Sequence, residues 1–263
     1  MSATESALLG ALQGLTEFLP ISSSAHLYVV PTLLGRPYAG VAYDVALHWG
    51  TLLALLFAYA RDWWTLAADA LGRDVARRER ARGLWVRLAV ASVPAAAAGL
   101  LLEDAADAWL RSLPLQAAML VVFGFLLWAV DRFRPPGRDE DAPGWGTCLA
   151  MGCAQALALV PGVSRSGVTI TAGRAAGLSR VAAARFSFLL ATPITFGAGL
   201  VKLRDLPADV PLAPLAAGML AAAIVGVLAI RGLIRWLGRA GFGAFFAYRV
   251  AFAAIIVWRL VQR

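Results

Sequence analysis

Long runs of apolar residues dominate the chain, without the regular polar positions of an amphipathic helix or a half-buried strand. Six runs are long enough to cross about 30 Å of hydrocarbon as helices. We predict these spans at 41–60, 84–102, 115–130, 185–201, 212–230 and 242–258. The pattern therefore predicts an all-α polytopic membrane protein, formed as a single integral membrane domain over residues 1–263.

Two further apolar stretches are interrupted by turn-forming and polar residues. Residues 18–24 break the stretch 7–34, and residues 160–167 break the stretch 146–176. Proline and glycine end helices, and serine hydroxyls cap the start of a new one. Irregular backbone at membrane depth is tolerated only inside protein or beside a water-filled cavity. Each stretch therefore predicts a re-entrant hairpin of two short helices joined by a loop.

The two interrupted stretches resemble each other at an offset of 142 residues. The matched pairs are Gly10 with Gly152, Gln13 with Gln155, Leu15 with Leu157, Ile21 with Val163, Ser22 with Ser164, and Ser24 with Ser166. Three predicted spans follow each hairpin, which gives repeats at about 1–135 and 143–263. Because three spans reverse the side of the membrane, the second copy is predicted to be inverted, with the broken helices meeting near the midplane.

The charges fit a membrane protein better than a nucleic-acid-binding one. Only 15% of residues are charged, against about 25% in average soluble domains. The net charge of +8 comes from arginines in short segments between apolar runs, so we predict no nucleic-acid partner. With the N-terminus outside, the inside segments 61–87, 132–145, 174–185 and 231–239 hold sixteen arginines. The outside basic residues are six: Arg36, Arg111, Lys202, Arg204, Arg259 and Arg263. Arg165 and Arg249 lie at membrane depth.

Candidate chemistry is concentrated in the first interrupted stretch. Ser22, Ser23 and Ser24 begin the returning helix, whose free N–H groups and positive dipole end favour a phosphate. Ser23 and His26 are three residues apart, so a helix places both on one side. A hydroxyl beside an imidazole suits a nucleophile with a proton-transfer group.

Charged and amide groups flank these serines. Gln13 and Glu17 are four residues apart and share a helical face. A carboxylate at this depth is unfavourable without a partner or a function. Arg165, in the second interruption, is the side chain best suited to bidentate phosphate recognition. We expect Arg165 to face either a phosphate or Glu17.

The second interruption adds further phosphate-binding candidates. Its hydroxyls and glycine-permitted N–H groups come from Ser164, Ser166, Gly167 and Thr169. Together with Gln13, Ser22 and Ser24 of the first stretch, these residues form the predicted substrate-binding set.

Purely structural explanations compete with these assignments. Serines at a helix restart are often only caps. Glu17 with Arg165 fits a buried structural ion pair, and Thr169 fits a hydroxyl bonded back to its own helix. We interpret His48, in the span 41–60, as helix packing without a nearby partner.

At this point the motifs resemble a known family. The stretch 13–26 is similar to the (E/Q)-x3-E motif and following Ser–His segment of undecaprenyl-diphosphate phosphatases, the bacitracin-resistance family. The stretch 161–169 is similar to the second motif of that family. The resemblance extends along the whole chain, with similar segments at 47–52, 94–99, 186–190 and 248–249.

The resemblance implies an enzyme of the bacterial cytoplasmic (inner) membrane with its site open to the periplasm. It implies hydrolysis of undecaprenyl diphosphate to the monophosphate, which recycles the lipid carrier for peptidoglycan synthesis. It also implies a divalent cation, Mg²⁺ or Ca²⁺. Gln13 stands where many members have Glu, so Glu17 is the first candidate ligand and the Gln13 amide oxygen a weaker one. The expected partners are a polyprenyl diphosphate lipid and the bilayer, and a homodimer is left open.

The corresponding mechanistic hypothesis assigns four catalytic residues. Arg165 holds the diphosphate, while Ser23 attacks the terminal phosphoryl group or positions a water that does. His26 handles the proton, and Glu17 orients His26 or binds the cation. Phosphoryl transfer depends mainly on positioning and charge stabilisation, so Arg165 should matter as much as the nucleophile.

Three other functions compete with this one. A flippase for the same lipid is compatible with inverted repeats and broken helices, but it does not require a Ser–His pair. A histidine-nucleophile lipid phosphatase is disfavoured because the chain has only two histidines, and neither follows Arg165. A purely structural scaffold is disfavoured by the polar residues at depth.

Overall fold

Helices form all the regular elements in residues 1–102, 112–135, 137–203 and 211–262, which the computed structural model describes. They are α1 Ala3–Phe18, α2 Ser23–Leu33, α3 Val41–Ala58, α4 Ala60–Leu71, α5 Val75–Leu101, α6 Leu113–Phe133, α7 Trp145–Ala156, a 3₁₀ helix Leu157–Leu159, α8 Arg165–Ala175, α9 Arg180–Leu203, α10 Leu212–Leu237 and α11 Gly243–Val261. Six of them (α3, α5, α6, α9, α10 and α11) are long and apolar enough to cross a membrane. The predicted all-α polytopic fold is confirmed.

The predicted inside segment 61–87 is wrong as a loop, because helices occupy most of it. Helix α4 and the first turns of α5 fill the segment, with a short break at Gly72. The Asp74 carboxylate accepts a hydrogen bond from the Arg77 amide and so caps α5. Alanine, arginine and leucine are strong helix formers, so this arginine-rich sequence continues the helix beyond the apolar span.

The first interrupted stretch folds as a hairpin that returns to its starting side. Helices α1 and α2 have 16 and 11 residues, or about 24 and 16 Å at 1.5 Å per residue, so neither crosses the bilayer alone. Arg36, just after α2, lies 3.0 Å from the Glu5 carboxylate in the first turn of α1. The two ends of the hairpin therefore lie together.

The second interrupted stretch closes in the same way. Helices α7 and α8 have 12 and 11 residues and are also too short to span the membrane. The Arg138 amide donates to the Gly177 carbonyl oxygen at 2.9 Å, and the Ser179 amide donates to the Arg138 carbonyl oxygen at 2.8 Å. The chain before α7 thus lies beside the chain after α8.

Each hairpin packs through its first helix on a span from the other half of the chain. Helix α1 packs on α10, and α7 packs on α5. A Cβ atom on Gly10 would lie 2.0 Å from the Gly218 carbonyl oxygen, and one on Gly152 would lie 2.2 Å from that of Ala91. These aligned glycines permit equivalent close approaches. The contacts are those that two inverted repeats require, and the inverted topology itself stays a prediction.

The apolar core surrounds the point where α1 approaches its loop. Phe18 is fully buried, and its ring meets the ring of Phe188 edge-to-face at 5.6 Å. Half of the α9 span is buried, compared with 22% of the α5 and α11 spans. Helix α9 is therefore central, whereas α5 and α11 present most of their surface outward.

Three of the four predicted inside segments lie on one face. Arg185 contacts the carboxylates of Asp62 at 2.8 Å and Asp141 at 2.9 Å, and Arg87 donates to the Pro143 carbonyl oxygen at 2.8 Å. These contacts join segments 61–87, 132–145 and 174–185 into one basic face. Three of the predicted outside basic residues, Arg111, Arg204 and Arg263, lie outside the described residues.

Candidate active site

The loops of the two hairpins contact each other directly. The Gly162 amide of the second loop donates to the Ser22 hydroxyl of the first at 3.2 Å. The Ser166 hydroxyl donates to the Leu19 carbonyl oxygen at 3.3 Å. The site therefore forms between two segments that are about 140 residues apart in the sequence.

Both loops have the same unusual backbone. Ser22 and Ser164 have φ angles of 74° and 73°, and in the described ranges they are the non-glycine residues with positive φ. Their hydroxyls lie 3.2 and 3.3 Å from those of Ser24 and Ser166 respectively. A positive φ costs a non-glycine residue about 1–3 kcal/mol and persists where the surrounding structure imposes it. The aligned serines thus have equivalent, strained conformations.

The Glu17 carboxylate lies at the centre of the contact. Its Oε1 accepts a hydrogen bond from Arg165 Nη2 at 2.7 Å, and its Oε2 accepts one from the Ser23 hydroxyl at 2.6 Å. Gln13 Nε2 donates to the same Oε2 at 3.2 Å. The side chains of Glu17 and Arg165 are only 6% and 13% exposed. The structure therefore brings Gln13, Glu17, Ser23 and Arg165 together, as the sequence predicted.

His48 also contacts this carboxylate, so the prediction that it has no partner is wrong. Its Nε2 lies 3.5 Å from Glu17 Oε2, and its Nδ1 lies 2.7 Å from the Asp44 carbonyl oxygen. Because a carbonyl oxygen only accepts, Nδ1 carries a hydrogen. A favourable contact between Nε2 and the carboxylate then requires a second proton between them. Sequence spacing gave no signal for this pair, since it depends on the packing of α3 against α1.

The predicted pairing of Ser23 with His26 is wrong, because both His26 ring nitrogens bind other groups. Nδ1 donates to the Ser22 carbonyl oxygen at 2.7 Å, and Nε2 accepts from the Tyr248 hydroxyl at 2.7 Å. The ring stacks on Phe252 with centroids 4.1 Å apart and is buried. This arrangement satisfies a neutral imidazole completely. His26 therefore fixes the position of the first loop through the Ser22 carbonyl oxygen.

Arg249 ties both loops together, a role that the sequence did not reveal. Its guanidinium is fully buried and donates to the carbonyl oxygens of Pro20 at 3.3 Å and Gly162 at 2.6 Å. It also donates to those of Val163 at 3.0 Å and Leu120 at 2.8 Å. The available signal was a charge inside an apolar span, which requires a polar environment at membrane depth.

The Ser164 and Thr169 hydroxyls of the second hairpin form hydrogen bonds within the protein. Ser164 Oγ accepts from the Gly167 amide at 3.2 Å and caps α8. The Thr169 hydroxyl is fully buried and bonds to the Arg165 carbonyl oxygen at 2.8 Å and to Ser187 Oγ at 2.6 Å. The predicted phosphate contact of Thr169 is therefore corrected, because its hydroxyl is enclosed between α8 and α9.

Two buried polar atoms beside Glu17 lack a partner in the described chain. They are Arg165 Nη1, a donor, and Gln13 Oε1, an acceptor. Buried polar groups are normally satisfied, so an unpaired donor and an unpaired acceptor on two residues that both bind Glu17 favour a ligand at this carboxylate. An anionic oxygen would satisfy the guanidinium, and a cation or hydroxyl would satisfy the amide oxygen.

The side chains around Glu17 also determine whether a divalent cation would fit at this site. No group of three or more His, Cys, Asp or Glu side chains in the described ranges is placed to hold a metal ion. Oxygen ligands are nevertheless close together at Glu17 and Ser23, and the Gln13 amide lies beside them with its nitrogen toward Glu17. Mg²⁺ commonly binds through one or two carboxylates together with substrate phosphates. The residues therefore fit a cation that shares its coordination with a phosphate.

Comparison with known proteins agrees with this geometry. The family model described as bacitracin resistance protein BacA matches residues 6–255. The chain belongs to the BacA family. It is 44% identical to an undecaprenyl-diphosphatase of Gemmatimonas aurantiaca over all of both chains. It is 46% identical to an undecaprenyl-diphosphatase of Pelotomaculum thermopropionicum, with 98% of this chain and 97% of the relative covered.

A third relative, an undecaprenyl-diphosphatase of Elusimicrobium minutum, is 44% identical with 98% of both chains covered. The BacA match includes both loops and every residue placed in the site above. Chemically, the arrangement offers a hydroxyl hydrogen-bonded to a carboxylate and a guanidinium with a free donor. A hydroxyl activated in this way beside an anion-binding group suits transfer of a phosphoryl group.

Proposed function

We propose that the protein hydrolyses undecaprenyl diphosphate to undecaprenyl phosphate and phosphate, which recycles the lipid carrier for cell-wall synthesis. The observation that carries the proposal is the Glu17 carboxylate, which binds the Ser23 hydroxyl through one oxygen and the Arg165 guanidinium through the other. The three relatives compared above are undecaprenyl-diphosphatases, which supports the choice of substrate.

Substrate binding would rest on Arg165 and the two helix starts. Arg165 Nη2 is bound to Glu17, so the unpaired Nη1 is free to donate to the terminal phosphoryl oxygens. Helices α2 and α8 both begin at the site, at Ser23 and Arg165. Their first N–H groups and positive dipole ends favour the same anion. The diphosphate would therefore lie between the two loops.

Ser23 is the proposed nucleophile. Its Oγ forms a bond to the terminal phosphorus, the bond from that phosphorus to the bridging oxygen breaks, and undecaprenyl phosphate leaves with the bridging oxygen. The Ser23 proton passes to Glu17 Oε2, which already accepts its hydrogen bond at 2.6 Å. Water then attacks the phosphorus, and the bond from phosphorus to Ser23 Oγ breaks. Glu17 returns its proton to Ser23 Oγ, and the phosphate leaves as dihydrogen phosphate with both protons of the water.

His26 and His48 have different roles in this scheme. His48, whose side chain is 30% exposed, lies against Glu17 and provides a route for protons between the carboxylate and solvent. His26 supports the first loop through the Ser22 carbonyl oxygen and does not touch the reacting atoms. The proton-transfer role predicted for His26 is thus reassigned to Glu17 with His48.

A divalent cation, Mg²⁺ or Ca²⁺, is part of the proposal. Glu17 and Gln13 would hold it, and the unpaired Gln13 Oε1 is the supporting observation. When bound, it would supply positive charge to the phosphate oxygens as charge develops on the leaving group. Gln13 keeps an oxygen ligand in place without adding a second negative charge beside Glu17.

We place the protein in the bacterial cytoplasmic membrane with its site open to the periplasm. The basic face formed by segments 61–87, 132–145 and 174–185 supports this orientation, because arginines accumulate on the cytoplasmic side. The residues of the proposed active site all come from one chain. A homodimer is a separate prediction, which a measurement of the oligomeric state in detergent would test.

Phosphate release from undecaprenyl diphosphate by the purified protein tests the function. We expect turnover by the unaltered chain and at least a hundredfold loss in Ser23→Ala, because the nucleophile is removed. Ser92→Ala is the matched control, since the Ser92 hydroxyl only bonds back to the Leu88 carbonyl oxygen of its own helix. Substantial turnover by Ser23→Ala would favour attack by water, and no release by the unaltered chain would contradict the function.

A further inference from the structure

A polar cavity lies on the basic face, away from the two loops. Its volume is about 590 Å³, and it opens between the ends of α6, α8 and α10 and the starts of α9 and α11. Arg174, in the last turn of α8, forms part of its wall, whereas Arg165 begins the same helix at the candidate active site. Nine residues of helix separate the two by about 14 Å. The cavity is therefore distinct from the phosphatase site.

The cavity wall carries an excess of positive charge. Asp131 is buried and binds both Arg174 at 3.1 Å and Arg180 at 2.8 Å. One carboxylate thus faces two guanidinium groups. Arg132 and Arg134 also line the cavity, are exposed, and make no ion pair within the described ranges. Even with Asp139 included, the lining favours an anion.

The positions of the wall groups are set by the fold. Arg174 is 3% exposed, and its Nη1 donates to the Leu178 carbonyl oxygen as well as its Nε to Asp131. A Cβ atom on Gly241 would lie 2.6 Å from Asp131 Oδ2 and 3.1 Å from Arg180 Nη2. Only glycine at 241 leaves this arrangement undisturbed. Arg180, held by Asp131 and 38% exposed, offers a positioned guanidinium beside the exposed Arg132 and Arg134. Guanidinium groups are well suited to phosphate recognition.

The rim of the cavity is aromatic and continues onto the outward surface of α6. Trp128 lines the cavity and stacks on Phe246, with centroids 5.7 Å apart. Phe133 and Phe125, on either side of Trp128 along α6, are 76% and 47% exposed. Tryptophan is enriched where a membrane protein crosses the interface. The cavity therefore opens where polar headgroups meet acyl chains.

The size of the cavity also favours a headgroup over a small anion. At about 30 Å³ per water in the liquid, its 590 Å³ corresponds to the volume of roughly twenty waters. One inorganic phosphate would leave most of that volume unfilled. A phosphodiester with its glycerol would occupy more of the cavity, while its acyl chains lie along the exposed apolar surface of α6.

We propose that this cavity binds the phosphate-bearing headgroup of an anionic membrane lipid such as phosphatidylglycerol. The guanidinium groups of Arg132, Arg134 and Arg180 would contact the phosphate, and Trp128 would lie beside the glycerol and the start of the acyl chains. The proposal is independent of the phosphatase reaction, because none of these residues belongs to the candidate active site.

Lipid retention by the purified full chain tests the proposal. Native mass spectrometry in neutral detergent would compare phosphatidylglycerol with phosphatidylcholine as the zwitterionic probe. We expect the unaltered chain to retain phosphatidylglycerol selectively and R132Q/R134Q to bind it about tenfold more weakly, as each basic residue near an anionic headgroup contributes a few-fold. R132K/R134K, which keeps the charge and the topology signal, should bind with intermediate affinity.

The matched control is R231Q/R235Q, which removes two exposed arginines from α10 that do not line the cavity. We expect its affinity to stay within twofold of the unaltered chain. Equal weakening by both glutamine pairs would overturn the proposal in favour of nonspecific attraction. Binding of inorganic phosphate that depends on Arg132 and Arg134, without retention of the lipid, would overturn the lipid assignment.

Discussion

The two loops have the same backbone but carry different chemistry. Ser22 and Ser164 share their positive φ, and Ser23 and Arg165 are the first residues of the helices that follow. At the repeat offset, Ser23 and Arg165 are equivalent positions. One is the proposed nucleophile, and the other carries the guanidinium proposed to bind phosphate. The duplicated backbone thus sets the geometry of the site, and the side chains at equivalent positions divide its functions.

Glu17 is the residue that breaks this equivalence. Its counterpart at the same offset is Leu159, so one carboxylate lies between two matched helix starts. Each of its oxygens binds one of the equivalent positions, Oε1 to Arg165 and Oε2 to Ser23. A similar contrast holds behind the loops, where His26 corresponds to Val168. The first loop is supported by polar contacts at a point where the second loop has an apolar side chain.

The largest effect is expected from removing the Arg165 guanidinium of the second loop. Arg165→Ala should lower kcat for phosphate release by about a thousandfold, the range seen when an arginine that stabilises phosphoryl transfer is lost. Arg165→Lys should recover only part of the activity, since lysine lacks the fork that binds Glu17 and phosphate together. Arg73→Ala, which removes an exposed arginine between α4 and α5, serves as the control. Near-normal turnover by Arg165→Ala would contradict the division of functions between the loops.

A smaller effect is expected from releasing the contact that Arg249 makes with both loops. Arg249→Gln should destabilise the protein by about 3 kcal/mol, because several charge-assisted hydrogen bonds to buried carbonyl oxygens are lost. kcat should fall by about a hundredfold, since the loops no longer hold Ser23 and Arg165 in register. Thermal unfolding and steady-state kinetics measure the two effects. Arg249→Lys should retain some activity, and an unchanged kcat in Arg249→Gln would refute the positioning role.

The third test concerns the support behind the first loop. His26→Ala should lower kcat by about thirtyfold through displacement of Ser22, while Tyr248→Phe should stay within about threefold because one neutral hydrogen bond is lost. His26→Asn can still donate to the Ser22 carbonyl oxygen and should recover most of the activity. If His26→Asn does not recover kcat and the pH profile of kcat also changes, the proton-transfer role belongs to His26 after all.

The smallest effects compare the two strained serines directly. Glycine adopts a positive φ without strain, so Ser164→Gly should lose little more than a cap and stay within twofold in kcat. Ser22→Gly also removes the acceptor for the Gly162 amide, so we expect about fivefold lower kcat. Equal effects in the two variants would show that the bond between the loops contributes nothing to the site.

Much of this architecture could be predicted from local sequence. Pro20 and Gly162 mark the breaks, and the internal repeat together with the family resemblance indicated that the two loops meet. The contacts that sequence missed depend on packing between distant helices. The His26 ring bonds to Tyr248, which is 222 residues away, and this contact replaces the predicted one with Ser23. His48 reaches Glu17 only because α3 packs on α1. Helix α4 was missed because segment 61–87 was interpreted only through its arginines, as a topology signal.

The single carboxylate between two matched helix starts also bears on how such a protein can arise from a smaller one. Two copies of the first half, paired in the same way, would bring together two carboxylates and two serine hydroxyls without a guanidinium. Two copies of the second half would bring together two guanidinium groups without a carboxylate. Neither homodimer would assemble the present site, which requires one half of each kind.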